Sequence, residues 1–192
     1  TGQKYVYLTA KVDEANGVYG TDTEESDKYG LLYMDVANSV SGWGGFHVNE
    51  YDGGESTNKG ELSMNVDGVR KVFAQGLSAN TDATLTFDLS GIKAERFEGY
   101  VGIDYTKSTK TNRDGANFIF YKDSISEENK LAESGVILQP DNAKLMNVDL
   151  TGAEKLIIYI DKVGGKNDDC VDIADAKVYV KEDDNNPDQP SK

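Results

Sequence analysis

The chain has 192 residues, with 34 acidic against 20 basic side chains and a formal net charge of -14. That balance excludes a surface built to neutralise nucleic-acid phosphates and disfavours anionic membranes, whereas a neutral glycan or a cation such as calcium suits the field. No run of about 18 apolar residues is present to span a bilayer, and the single cysteine, Cys170, rules out an intrachain disulfide.

Taken in chain order, the elements read as β. Tyr5 to Val12 is rich in β-branched and aromatic residues, which suit a pleated, half-buried surface. The first residues, TGQKYVYL, lack the basic and apolar regions of a secretory leader. Ala15 to Tyr29 is polar and acidic and reads as an inserted loop. Leu62, Met64 and Val66 alternate up to an Asp67-Gly68 turn, and Val69 to Phe73 returns, a hairpin signature. Strands follow at Thr84 to Leu89, Glu98 to Asp104, Ala116 to Tyr121, Val136 to Leu138, Met146 to Leu150, Lys155 to Asp161 and Ala174 to Lys181. Leu156 to Ile160 is apolar on both faces, which predicts a central strand. The one predicted helix spans Ser126 to Glu133, because Ser126 can cap it and acids fill its first turn. Many short strands with Gly and Asn turns imply an all-β, antiparallel sandwich. The tail from Lys181 to Lys192 has no apolar residue but proline and reads as a linker, as expected of a module cut from a longer protein.

The catalytic signatures are missing. There is no G-x-S-x-G elbow, H-E-x-x-H pair or P-loop, and the lone His47 has no motif partner. With this many acids, some carboxylate pair will stand at any separation glycoside hydrolysis needs, so their number discriminates nothing. An intrinsic hydrolase therefore has no positive support. Cys170 reads as a small buried residue in a C-terminal strand.

Four stretches carry a resemblance. FAQGLSANTDATLTFDL (Phe73 to Leu89), FEGYVGID (Phe97 to Asp104), LTGAEKLIIYID (Leu150 to Asp161) and DCVDIADAKV (Asp169 to Val178) resemble the lines of the NPCBM family of carbohydrate-binding modules, which includes the family 51 modules. Those lines run roughly Y-x-K-G-I-G-T-H-A-x-S-x-I-x-Y-D-L, F-x-x-x-V-G-V-D and D-H-A-D-W-A-D-A. The opening line is similar to LLYMDVANSVSGWG (Leu31 to Gly44), which keeps Ser41-Gly42-Trp43-Gly44. The resemblance covers about residues 31–181, within a domain of residues 1–181 and before an acidic tail of residues 182–192.

It implies a jelly-roll sandwich of the galactose-binding type and a non-catalytic module of a secreted or cell-surface bacterial enzyme, such as a glycoside hydrolase. The expected ligand is a galactose-type or related host-glycan sugar, and other domains of the same polypeptide are expected partners. The family's loop-tip site maps onto Gln75, where the family has Lys, and Asn80, where it has His. Trp43, the only tryptophan, sits between Gly42 and Gly44, where a ring face can be exposed for stacking. Asp104 completes the expected contacts. The loop from Tyr105 to Gly115 adds Tyr105, Lys107, Lys110 and Arg113, a basic cluster on an acidic protein that suits an acidic sugar or a plain hairpin tip. Galactose-binding-type sandwiches also imply one structural calcium, with Asp175 and either Asn49 or Asp52 as ligands. Replacement of the family's His and Trp by Cys170 and Ile173 supports the alternative, a structural or protein-interaction sandwich that has lost its sugar site.

Overall fold

The computed structural model describes residues 3–23, 30–51, 60–111 and 114–181. Its strands are β1 (Tyr5–Thr9), β2 (Val18–Gly20), β3 (Leu31–Tyr33), β4 (Phe46–Val48), β5 (Leu62–Val66), β6 (Val69–Phe73) and β7 (Gly76–Asn80). There follow β8 (Ala83–Asp88), β9 (Ala94–Ile103), β10 (Ala116–Lys122), β11 (Lys130–Ile137), β12 (Lys144–Asp149), β13 (Lys155–Asp161) and β14 (Cys170–Val180). Among the described residues only single 3-10 turns accompany them, and no helix is long and apolar enough to cross a membrane.

Two sheets face each other. The larger runs β12-β9-β14-β7-β4-β2, with β1 on β14 and β3 on β1; the smaller runs β11-β10-β13-β8. The core lies between them, where Leu85, Phe87, Phe97, Phe118, Phe120, Leu156 and Ile158 are all sealed from solvent. Burying each such side chain contributes roughly 1.5–3 kcal/mol. As expected, β13 is an inner strand, paired on both sides by β10 and β8. The sandwich is largely antiparallel, but the short pairs β1 with β3 and β2 with β4 run parallel.

The β5–β6 hairpin forms in the predicted register, Leu62 opposite Phe73 and Val66 opposite Val69. It packs Leu62, Met64 and Phe73 onto Ala174, closing a second small core on the outer face of the large sheet. β14 changes partners along its length. Cys170 to Ala174 pairs with β7 and Tyr179 to Lys177 with β1, and the register shifts between Ala174 and Lys177. Asp175 stands at that shift with φ 47°, a left-handed conformation that Asp tolerates better than most residues.

Two local expectations are corrected. The predicted helix at Ser126 to Glu133 is a 3-10 turn, Glu127–Asn129, running straight into β11. Residues from Lys130 onward pair with β10, whose partnered backbone outweighs the weak local capping signal. The acidic stretch from Ala15 to Tyr29 is not all loop: Val18–Gly20 forms the edge strand β2 with Val18 fully buried, while residues 24–29 and the tail 182–192 lie outside the described residues.

Candidate functional site

A pocket of about 520 Å³ opens at one end of the sandwich, lined by Trp43, Asn80, Thr81, Lys107, Lys166, Asn167 and Asp168. That size suits a small ligand such as one or two sugar rings. Four separate chain segments build it.

The first brings Trp43. After β3, the chain crosses to the free edge of β8, where Asp35 N–H donates to the Thr86 carbonyl and Val40 and Thr84 exchange backbone hydrogen bonds. The next turn is stitched to the end of β7. Gly42 N–H donates to the Asn80 carbonyl at 2.8 Å, and Asn80 Nδ2 donates to the Trp43 carbonyl at 3.3 Å. Only glycine fits at position 42, because a Cβ there would collide with the Thr81 carbonyl. The tight seat leaves Trp43 57% exposed, far more than a packing tryptophan would be.

The second segment is Asn80 and Thr81, at the turn from β7 into β8. The third is the 3-10 turn Tyr105–Lys107, which delivers Lys107. Asp104 caps it: Oδ1 accepts from the Thr106 N–H at 3.0 Å and from the Thr106 hydroxyl at 2.7 Å, while Oδ2 accepts from Ser63 N–H at 3.5 Å. The fourth is the loop from β13 to β14, carrying Lys166, Asn167 and Asp168. Lys107 Nζ stands 3.8 Å from Asp168 Oδ1.

A buried network fixes that last loop. Asp169 is 1% exposed; its Oδ2 accepts from the Thr81 hydroxyl and its Oδ1 from Gln139 Nε2, both at 2.9 Å. Gln139 Nε2 also reaches the Asp168 carbonyl at 3.2 Å, and Asp114 Oδ2 accepts from Gly165 N–H. Burial pushes the Asp169 carboxyl up to about 7, and the neighbouring acids Asp114 and Asp168 raise it further against the lowering effect of its two hydrogen bonds.

Of the residues singled out from sequence, Trp43, Asn80 and Lys107 meet in this pocket. Asp104 does not line it: its carboxylate is sealed inside and spent on the turn that presents Lys107. Tyr105 points its contacts elsewhere, with the Arg70 guanidinium 5.6 Å from its ring centre. Gln75 lies five residues from Asn80 along β7, roughly 16 Å away at the rise of an extended chain, where its carbonyl accepts from Asp175 N–H at 3.0 Å. Arg113 lies outside the described residues.

Sequence reasoning passed over Lys166, Asn167 and Asp168. Their signal was legible in KVGGKNDD (Lys162 to Asp169), a Gly-rich polar loop directly ahead of the last family line. Cys170 and Ile173 are 0% and 3% exposed and take no part in the pocket wall, so the replacements there leave its lining untouched. Ile173 belongs to the main core, and the Cys170 thiol lies 3.4 Å from the Ser78 hydroxyl.

The residues suggested for calcium form a different corner. Asn49 Oδ1 accepts from Gly76 N–H at 3.1 Å and its Nδ2 donates to the Thr21 carbonyl, while Asp175 sits one residue away across the Gln75–Gly76 peptide. Asp52 lies outside the described residues. Among the described residues no three His, Cys, Asp or Glu side chains gather in a metal-holding group, so these alone do not make a calcium cage.

A two-sheet sandwich with an exposed indole and hydrogen-bonding groups at a loop-built pocket has the build of a carbohydrate-binding module. The chain matches the NPCBM/NEW2 domain over residues 27–179 and belongs to that family. Among solved structures it resembles the family 51 module with its INT domain from Clostridium perfringens ZmpB, at 22% identity and TM-score 0.66 over 78% of this chain and 30% of that one. The family 51 module of a Clostridium perfringens family 95 glycoside hydrolase, solved with methyl-galactose, matches at 19% identity and TM-score 0.65 over 77% of this chain and 94% of that one. The tandem family 51 modules of a Streptococcus pneumoniae family 98 glycoside hydrolase match at 22% identity and TM-score 0.61, over 76% of this chain and 44% of that one. The chain thus spans less than a third of the ZmpB fragment but nearly all of the single module. No curated protein sequence matches. The domain is a non-catalytic, sugar-binding type of fold.

Proposed function

We propose that this domain binds a galactose-type sugar at the Trp43 pocket and serves a secreted bacterial glycan-active enzyme as its targeting module. One observation carries the reading: the only tryptophan of the chain is exposed on a pocket wall beside Asn80. An indole face stacks on the C–H face of a pyranose, and the Asn80 and Asn167 amides supply donors and acceptors for its hydroxyls. The methyl-galactose held by a similar family 51 module, and the glycoside hydrolases that carry such modules, support this assignment.

Calorimetry with methyl-galactoside, lactose and N-acetylglucosamine tests it. Binding of a galactoside that falls at least tenfold in Trp43→Ala, with unchanged circular dichroism, supports the reading. A folded wild-type domain that binds no neutral or acidic galactoside overturns it. A calcium ion at the Asn49, Asp52 and Asp175 corner is a separate proposal. A higher melting temperature in calcium than in EDTA supports it, and superimposable melts overturn it.

A further inference from the structure

The pocket holds the wrong charge for its protein. The chain carries 14 more acids than bases, yet the pocket lining contains two lysines, Lys107 and Lys166, against one acid, Asp168. The two lysines are not equivalent. Lys107 is only 22% exposed, is delivered by a turn that Asp104 caps, and has Asp168 at 3.8 Å as its counterion. Lys166 is exposed and makes no ion pair with a described residue. The lining therefore keeps one positive charge in surplus, beside the exposed Trp43 ring. Behind it, the Asp169 carboxyl is raised to about 7 by burial, so near neutral pH it offsets less of that charge than an ordinary aspartate would.

A neutral monosaccharide needs no such surplus. Its hydroxyls are served by amide groups, which Asn80 and Asn167 already provide. A free ammonium in a pocket gains its full value only against an anion, and here the anion must approach through an otherwise repelling acidic field. Among the lining residues there is no arginine fork to demand a planar, bidentate partner, and lysine is a point charge that accepts any compact anionic group.

We infer that the ligand of this pocket is an acidic glycan, whose sugar ring stacks on Trp43 while its carboxylate or sulfate ester is held by Lys166 and Lys107. This rests on the sugar-binding reading above and narrows it to a substrate class.

The single tryptophan makes its own reporter, since its fluorescence changes when a ligand covers it. Titration with lactose, 3′-sialyllactose and 3′-sulfated lactose separates the possibilities. The expected result is at least tenfold tighter binding of one or both acidic sugars than of lactose in 50 mM salt. That advantage shrinks in 500 mM salt, where screening extends only a few ångströms. Whichever acid binds more tightly identifies the anionic group. Lys166→Gln should bring the ratio of acidic to neutral affinity close to one, whereas Lys155→Gln, at the far end of β13, should leave that ratio as it is. If lactose binds as tightly as both acidic forms, the acidic-glycan inference is overturned and the sugar-binding reading stands. If none of the three binds to the folded domain, both are overturned.

Discussion

The two ends of β7 make an instructive pair. At its start, around Gln75 and Gly76, the polar groups are turned inward on the backbone: Asn49 caps the Gly76 N–H, and the Gln75 carbonyl takes Asp175 N–H where β14 changes partners. At its finish, around Asn80, similar residue types meet an exposed indole, two lysines and a Gly-rich loop. Both ends belong to one family line and lie five residues apart. The difference is in the neighbours. The first end spends its hydrogen bonds on keeping the sheet in register, and the second uses buried residues behind the surface to hold others open to solvent.

That contrast makes the buried groups behind the pocket the most consequential to change. Asp169 has the largest expected effect. Its carboxyl is raised from an ordinary value near 3.8 to about 7 in the fold, so the folded state holds the proton more tightly than the unfolded chain. The stability this gives is fully present below about pH 4 and is lost as pH rises towards 7, a change on the order of 4 kcal/mol. Melting curves at pH 5 and pH 8 should therefore show Asp169→Asn gaining on the wild type as pH rises. A difference that stays constant between the two pH values would remove Asp169 from this role.

Asp104→Ala comes next. It strands the buried Ser63 N–H and uncaps the Thr106 turn, at a cost of about 2 kcal/mol, or roughly 4–8 °C in a domain of this size. The same variant should weaken acidic-sugar binding, because Lys107 loses the capped turn that presents it. A lower melting temperature with intact sugar affinity would show that the turn does not matter to the pocket. Trp43→Ala, a loss of tenfold or more in affinity, should leave the melting temperature within about 1 °C, since an exposed side chain adds little to the core. The smallest effect belongs to the other end of the strand: Gln75→Ala should change sugar affinity by less than twofold. A larger loss at Gln75 than at Asn80 would reverse the comparison.

How much of this was legible in the chain differs by feature. The β5–β6 hairpin was readable because alternation on either side of Asp67-Gly68 fixes both turn and register locally. The inner position of β13 was readable because Leu156 to Ile160 has no polar face to show to water. Ser126 to Glu133 misled, since a good cap and two acids specify a helix start but cannot outbid an open strand edge on β10. Trp43 stood out as an isolated ring among glycines, whereas Asp104 looked like a ligand contact but has a buried carboxylate that caps the turn presenting Lys107.

The sequence by itself determined the sandwich, its inner strand, the burial of Cys170 and the family framework, because apolar periodicity and turn chemistry are properties of neighbouring residues. Only the tertiary structure decided the site. Trp43, Asn80, Lys107 and Lys166 are spread over more than 120 positions, and they meet because β7, β8, β9, β13 and β14 each have one end at the same rim of the sandwich. No local pattern encodes which loops share a rim. That follows from sheet order and register, which the whole core fixes at once.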